Sequence, residues 1–175
     1  MKFVTVVMAL LSFAVVSVSL AAQADKPVRR DRSNLPITIK SNELSADNRG
    51  KTSIFSGKVV AKQGDITIFS DKLIVNYAEK NSEIDKIEAI GNVRIVQLNR
   101  TGIASQAVYE SRDGRIILTG TPNPKVIQGA DSISGKTITY YVDDEKSFVT
   151  GGGDPNSRVE AVINPPARKG DAGGR

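Results

Sequence analysis

The sequence predicts an all-β protein built from four imperfect copies of one strand unit, each about thirty residues long. Apolar anchors recur with spacings of 29, 34 and 31 residues, at Leu44, Leu73, Ala107 and Ile138. Glycines recur in a similar rhythm, at Gly57, Gly91, Gly120 and Gly151. After the amino-terminal segment, no window of eleven or more residues holds a helical period. Because one such unit cannot bury its apolar face alone, the copies must stack on their neighbours.

The first 24 residues have the features of a secretory signal peptide. Lys2 supplies a positive start, residues 3–20 carry no charge, and Ala22-Gln23-Ala24 fits an A-x-A cleavage site. A membrane anchor is the alternative, since the uncharged run is about as long as a short membrane-spanning helix. The small residues and the cleavage motif favour the signal, so we expect a mature chain of 151 residues, a one-domain length, from Asp25 onward.

The composition narrows the function classes. Cys, His and Trp are all absent, and the formal net charge is +5. Without disulfides, the fold must be stabilised by apolar burial in a sheet. Without His, the commonest general base and transition-metal ligand are missing, and the acidic run at 143–145 fits a solvated turn, so we predict neither an enzyme nor a metal or cofactor site. No dense basic run with interleaved aromatics indicates nucleic-acid binding.

The chain divides into an arm, a domain and a tail. Residues 25–34 are polar and basic and predict a flexible arm. From Leu35 to Ile163, apolar and polar residues alternate with the period of half-buried strands. Residues 79–89 fit a strand-loop-strand connection better than a polar helix, because their apolar stripe is thin. Residues 158–163 predict a last strand, and residues 164–175 predict a disordered basic tail. Turn-forming residues favour reversals at 47–50, 63–65, 99–102, 112–114 and 143–144.

Short strands with small turns are expected to close into a sandwich, a jelly roll or a roll-like solenoid. The ends of an open stack would expose unpaired backbone groups, which makes them candidate docking surfaces. The inward positions are mostly aliphatic, and only 5% of residues are aromatic, which argues against a carbohydrate-stacking site. Two interpretations of this apolar face stay open: a core that packs against itself, or a groove that accepts lipid.

Several segments, in this order and spacing, resemble the LptA/OstA family of periplasmic lipopolysaccharide transport proteins. They are LPITIKSNEL at 35–44, FSGKVVAKQG at 55–64, SDKL at 70–73, ASQAVY at 104–109, LTG at 118–120 and GKTITY at 135–140. The likeness runs from about Leu35 to Ile163, which is most of the predicted mature chain. Residues 78–89 and 121–124 depart from the expected pattern, so the strand register there is open.

The resemblance implies a twisted antiparallel β-jelly-roll, OstA-like, over residues 35–163. It also implies a periplasmic protein that binds lipopolysaccharide in an apolar groove and bridges the inner and outer membranes. The partners would be an inner-membrane transport component of the same fold, the outer-membrane translocon and further copies of the chain, stacked head to tail. The expected lipid-binding residues are Ile37, Ile39, Phe55, Val59, Ile68, Leu73, Val75, Ile95, Tyr109, Leu118 and Tyr140.

Two further expectations accompany this hypothesis. Basic residues at the groove mouth, such as Lys58, Lys72 or Arg94, could pair with lipid phosphates, although each also fits a solvated strand face. The alternative function is a secreted structural or adhesive β-solenoid that binds protein partners without lipid.

Overall fold

A computed structural model describes residues 35–79, 83–142, 144, 146–153 and 157–165. The strands are β1 Thr38–Lys40, β2 Glu43–Asp47, β3 Thr52–Gln63, β4 Ile66–Tyr77, β5 Ile84–Gln97, β6 Arg100–Glu110, β7 Arg115–Thr119, β8 Lys125–Gln128, β9 Asp131–Ser134, β10 Thr137–Tyr141, β11 Lys146–Thr150 and β12 Glu160–Val162. The described residues contain no helix, and thus none that could cross a membrane. The predicted signal peptide (1–24), the arm (25–34) and the tail from residue 166 lie outside the described residues.

The twelve strands form one antiparallel sheet that is split into two layers. Strand β3 pairs with β2 through residues 52–56 and with β1 through residues 60–62. Strand β6 likewise pairs with β7 through residues 106–110 and with β8 through residues 100–103. Layer I therefore contains β2, β7, β10, β11 and one half of each of β3 to β6. Layer II contains β1, β8, β9, β12 and the other halves.

A line of β-bulges separates the two layers, and we call it the fold line. The register shifts between Ser56 and Val59, between Phe69 and Lys72, and between Ile90 and Val93. Bulges bend a strand and increase its twist, so four adjacent strands turn from one layer into the other at this line.

Two of the four repeated glycines, Gly57 and Gly91, belong to the fold line. Gly57 and Gly91 have φ values of +79° and +77°, and a Cβ atom at either position would meet the side chain of Asn42 or Asp71. The strands were expected to be short. Gly57 and Gly91 instead lie within β3 and β5, so β3 to β6 continue through the bend and are 11 to 14 residues long.

The repeat anchors meet in one cross-strand row of layer I. Successive register partners across the eight strands of the layer are Leu44, Phe55, Leu73, Ala89, Ala107, Leu118, Ile138 and Val149. The anchors Leu44, Leu73, Ala107 and Ile138 alternate with residues of the intervening strands. The period of about thirty residues is therefore the length of one hairpin.

Of the other predicted segment limits, some hold and one turn shifts. Strand β4 ends at Tyr77 and β5 begins at Ile84, so the strand-loop-strand segment predicted at 79–89 contains the chain between these strands and the first residues of β5. Strand β12 falls within residues 158–163, as predicted. The turn expected at 99–102 is instead centred on Leu98 and Asn99, because Arg100 already begins β6. Residues 121–124 form an irregular link with a cis Thr121–Pro122 bond, and Pro124 is buried.

Candidate functional site

The candidate site is the space between the inward faces of the two layers. Layer I contributes the anchor row and a second row two residues further from the fold line. The register partners in that second row are Val75, Ile87, Tyr109, Ile116 and Tyr140. Layer II contributes a facing row of Ile39, Ala61, Ile68, Ile95, Gly102 and Val126. The inner surface is therefore apolar across most of the strands in both layers.

A cleft remains between these rows at the middle of the sheet. Its free volume is about 20 Å³, which is room for about one water molecule. Its lining comes from both layers: Ile68 and Ile95 from layer II, and Ile87, Ala89, Ala107, Tyr109 and Ile116 from layer I. The small side chains of Ala89 and Ala107 leave this space open. Insertion of an alkyl chain would therefore require the two layers to move apart.

Eight of the predicted lipid-binding positions fall into two groups by burial. Val59, Leu73, Val75 and Leu118 are buried in the core, with exposed fractions of 5% or less. Ile37, Ile39, Phe55 and Ile68 are half-buried and pack against that core.

The remaining three are half-buried side chains nearer the cleft. Ile95 and Tyr109 pack against the core and line the cleft. Tyr140 continues the row of Ile116 but lies outside the packed cluster. The eleven positions thus share the inner face, and Ile68, Ile95 and Tyr109 border its free volume.

Four residues that line the cleft were not among the predicted positions. Ile116 was not selected, and Ala107 was predicted only as a repeat anchor. Ile87 and Ala89 alternate with Lys86 and Glu88 on β5. Because of these charges, the segment has a polar composition although one face of the strand is buried. The period-two pattern of Ile87 and Ala89 was the signal that could have found them.

The basic residues expected at the groove mouth lie on the outer surface. Lys58 is exposed within the fold-line bulge, and Lys72 points away from the core because it alternates with buried Leu73. The Arg94 guanidinium carbon lies 3.9 Å from the ring centroid of Phe69, its cross-strand neighbour on the outer face. The expectation that these residues border the mouth is therefore wrong. Strand parity turns Lys72 and Arg94 outward, and Lys58 lies in the bulge at the fold line.

The resolved ion pairs also lie away from the cleft. Lys86 Nζ is 2.6 Å from Glu88 Oε1, and this hydrogen bond raises the pKa of Lys86 above its usual value. A hydrogen bond from Arg115 to Glu110 raises the pKa of Arg115 in the same way. Among the described residues, Ser70 is the only polar side chain in the buried core, and no group of acidic, Cys or His residues could hold a metal ion.

An antiparallel sheet folded once about a line of bulges, with an apolar cleft inside, defines an open β-jelly-roll protein. The family described as LptA/(LptD N-terminal domain) LPS transport protein matches residues 38–146, and the chain belongs to this family of transport proteins.

Curated relatives agree with this assignment. The lipopolysaccharide export system protein LptA of Escherichia coli K12 is 32% identical over 136 residues, which cover 74% of this chain and 71% of the relative. LptA of Haemophilus influenzae Rd is 32% identical over 143 residues, which cover 78% and 81%.

A solved structure shares the fold. It is the crystal structure of LptH, the LptA-homologous periplasmic component of the lipopolysaccharide transport device of Pseudomonas aeruginosa. Its TM-score to this chain is 0.68 at 17% identity, and the match covers 77% of this chain and 99% of LptH.

Proposed function

We propose that this protein binds lipopolysaccharide in the periplasm and shields its acyl chains in the cleft while the lipid passes between the two membranes. The observation that carries the proposal is the set of apolar rows that line both layers across nearly every strand. Membership of a lipopolysaccharide transport family supplies the class of ligand.

The physical role of such a cleft is to keep hydrocarbon away from water. Each methylene withdrawn from water contributes about 0.8 kcal/mol. Exposure of an acyl chain of about twelve carbons to water during passage across the periplasm would therefore cost on the order of 10 kcal/mol. An apolar path lowers that barrier without a chemical step. Because the cleft is narrow, lipid entry would require the layers to separate, and the fold line is the place where their angle can change.

The open edges of the sheet support assembly with partners of the same fold. Strands β1 and β2 border one end of the two layers, and β11 and β12 border the other. Unpaired edge strands readily add a strand from another chain. Leu44 ends the anchor row with an exposed fraction of 60%, and Val149 ends it on the opposite edge.

Head-to-tail stacking would continue the anchor row from one copy into the next. The same edges would receive the inner-membrane component and deliver to the outer-membrane translocon.

Photocrosslinking in living cells tests the lipid-binding role. A crosslinking amino acid at Ile95 or Ile116, which line the cleft, should label lipopolysaccharide. The matched controls are Val96 and Ile117, the next residues on the same strands, which are apolar but face outward. If the outward positions label lipid as strongly as the inward ones, the cleft is not the binding site. A protein that yields no lipid on extraction and mass spectrometry would support the adhesive or structural alternative.

A further inference from the structure

Each layer of the sheet contains an even number of strands. Layer I has eight, from β2 to β11, and layer II has eight, from β1 to β12, and neighbouring strands are antiparallel in both. The first and last strands of each layer therefore run in opposite directions. A second copy placed beside the first by translation along the rows would bring its β2 antiparallel to β11 and, in the same movement, its β1 antiparallel to β12.

The rows of register partners predict which residues would meet at such a joint. We call β1 and β2 the first edge and β11 and β12 the last edge, and each of these strands is paired along one side only within the described part of the chain. Continuation of the anchor row places Leu44 of the next copy opposite Val149, because these residues end that row on the two edges. Three residues further from the fold line, the same register places Asp47 of the next copy opposite Lys146.

Layer II ends in a second pair of opposite charges. One outward row runs across the layer from Lys40 on β1 to Glu160 on β12, through the register partners Val60, Phe69, Arg94, Ile103, Lys125 and Ser134. Continuation of this row places Lys40 of the next copy opposite Glu160. The two pairs have opposite sense, because the first edge carries the acid in layer I and the base in layer II, and the last edge carries the reverse.

The charged residues at the ends of these rows are exposed, and none of them forms an ion pair with another described residue: Lys40, Asp47, Lys146 and Glu160. Opposite charges attract when they stand directly across two antiparallel strands. The chain already contains one such arrangement in the row that ends in the layer I charges. There Glu110 and Arg115 are register partners, and Arg115 Nε donates to Glu110 Oε2.

Neighbouring charges disfavour other registers of the joint. A slip of one residue would turn the inward side chains outward, so the smallest slip that keeps both faces is two residues. A slip of two residues away from the fold line brings Asp47 of the next copy next to Asp144, an exposed turn residue before β11. A slip of two residues toward the fold line brings Arg49 of the next copy next to Lys146. Like charges repel in both cases, so the two edges fit each other in one register.

We propose that two ion pairs of opposite sense fix the direction and the register in which copies of this chain join: Lys146 with Asp47 of the next copy, and Glu160 with Lys40 of the next copy. The inference rests on the stacking of copies in the proposed function, and it adds the side chains that select one edge, one direction and one register. Exposed ion pairs stabilise weakly. Backbone pairing and the anchor row would therefore supply most of the affinity, while the charges discriminate, because a wrong register opposes like charges.

Exchange of the charges tests the proposal with the full chain. Lys40→Glu/Lys146→Glu makes all four end positions acidic, and Asp47→Asn/Glu160→Lys leaves none of them acidic. Asparagine keeps the side-chain oxygen that accepts hydrogen bonds from the turn after position 47. In analytical ultracentrifugation, each variant alone should assemble at least about fivefold more weakly than the wild type.

An equimolar mixture of the two variants should recover most of the wild-type assembly. Copies that alternate bring opposite charges together in layer II at every joint, whereas copies of a single variant oppose like charges there. Recovery on mixing also shows that both variants are folded. The control variant Lys62→Glu/Lys125→Glu makes the same change in net charge as the acidic variant, at exposed positions of β3 and β8, which belong to neither edge. It should assemble as the wild type does.

Disulfide formation tests the register directly, since the chain has no cysteine. The proposed register sets Ala46 opposite Ser147 across the joint, and both are small and exposed. Ala46→Cys/Ser147→Cys should therefore give covalent ladders of copies on mild oxidation. Ala46→Cys/Thr150→Cys is the control, because an offset of three residues separates the thiols by about 10 Å along the strands, beyond the reach of a disulfide.

Several outcomes would overturn the proposed ion pairs and register. They are wild-type assembly by either charge variant alone, a mixture that assembles as weakly as its components, and equal ladders from the matched and the offset cysteine pairs. The stacking itself is judged by the wild type. A wild-type chain that stays monomeric at every concentration would overturn that part of the proposed function, and this joint with it.

Discussion

Leu118 on β7 packs against Gly102 on β6 between the two layers, and a Cβ atom at Gly102 would be 3.2 Å from Leu118 Cδ1. The two residues belong to different layers, so this contact sets the separation of the layers beside the cleft. A side chain at position 102 would have to displace Leu118 or move the two layers apart.

Gly102→Val should therefore obstruct the cleft. The added methyl groups would push against Leu118, with an overpacking cost of about 1–3 kcal/mol. We expect lipid A affinity to fall about tenfold or more, measured by equilibrium binding alongside urea unfolding. Thr101→Val, one residue away on the outward face, is the control and should bind as the wild type does. Equal affinities for Gly102→Val and wild type would mean that lipid does not pass this point.

The fold-line glycines should be needed for stability. Gly91→Ala would combine a φ of +77° with a contact between the new Cβ atom and Asp71. Gly129 has a φ of +61° and no atom within 4 Å, so Gly129→Ala measures the conformational cost alone. In urea unfolding, Gly129→Ala should lower the free energy of unfolding by about 1–2 kcal/mol, and Gly91→Ala should lower it by at least about 1 kcal/mol more. Equal losses would show that the close approach to Asp71 relaxes without cost.

The anchor row should contribute most of the stability of layer I. Leu73 is 1% exposed, and Leu73→Ala should lower the free energy of unfolding by about 2–5 kcal/mol. Ile74 is the half-buried neighbour of Leu73 on the outer face, and Ile74→Ala should lower the free energy of unfolding by only about 1 kcal/mol. A comparable loss for both variants in urea unfolding would contradict the assignment of inner and outer faces.

The ion pair between Lys86 and Glu88 on β5 should make a small, pH-dependent contribution to the free energy of unfolding. The hydrogen bond to Glu88 raises the pKa of Lys86, so the pair stabilises the fold below the ordinary lysine value of 10.5 and loses this effect as the pH rises through the higher folded value. Because Lys86 is 41% exposed, Lys86→Met should cost only about 0.5 kcal/mol at pH 7. The difference from wild type should vanish in urea unfolding above the folded pKa. A larger difference there than at neutral pH would have the wrong sign for this pair.

Self-association should depend on the exposed end of the anchor row. Leu44→Asp should weaken concentration-dependent assembly in analytical ultracentrifugation, since it places a charge at the edge where another copy would pair. Folding should be little affected, because Leu44 is 60% exposed. Leu98→Asp changes a side chain that is 72% exposed at a hairpin turn away from the edges, so it should assemble normally. Normal assembly of Leu44→Asp would argue against pairing through this edge.

Much of layer I was predictable from local sequence, and the relation between the layers was not. Hairpins of similar length bring Leu44, Leu73, Ala107 and Ile138 into one row, so a simple count along the chain finds it. The fold line depends on one strand pairing with different partners along its two halves, and alternation of apolar residues carries no such information.

The candidate site was likewise predictable only in part. Strand parity predicts that Ile95 and Tyr109 face inward, but it does not tell a sealed core from a cleft. That distinction depends on contacts between layers, such as the one between Gly102 and Leu118. Strand parity also predicts that Arg94 faces outward, where its guanidinium lies over the ring of Phe69.

The bend shared by β3 to β6 has a consequence for how such proteins can change in length. A hairpin that crosses the bulges adds two strands to both layers at once, which is about 10 Å of width at ordinary strand spacing. Insertion or loss of a whole hairpin would therefore keep the facing rows aligned and return the chain to the same margin. Insertion of a single strand would leave the chain at the opposite margin and reverse every later segment, so whole hairpins are the natural unit of growth.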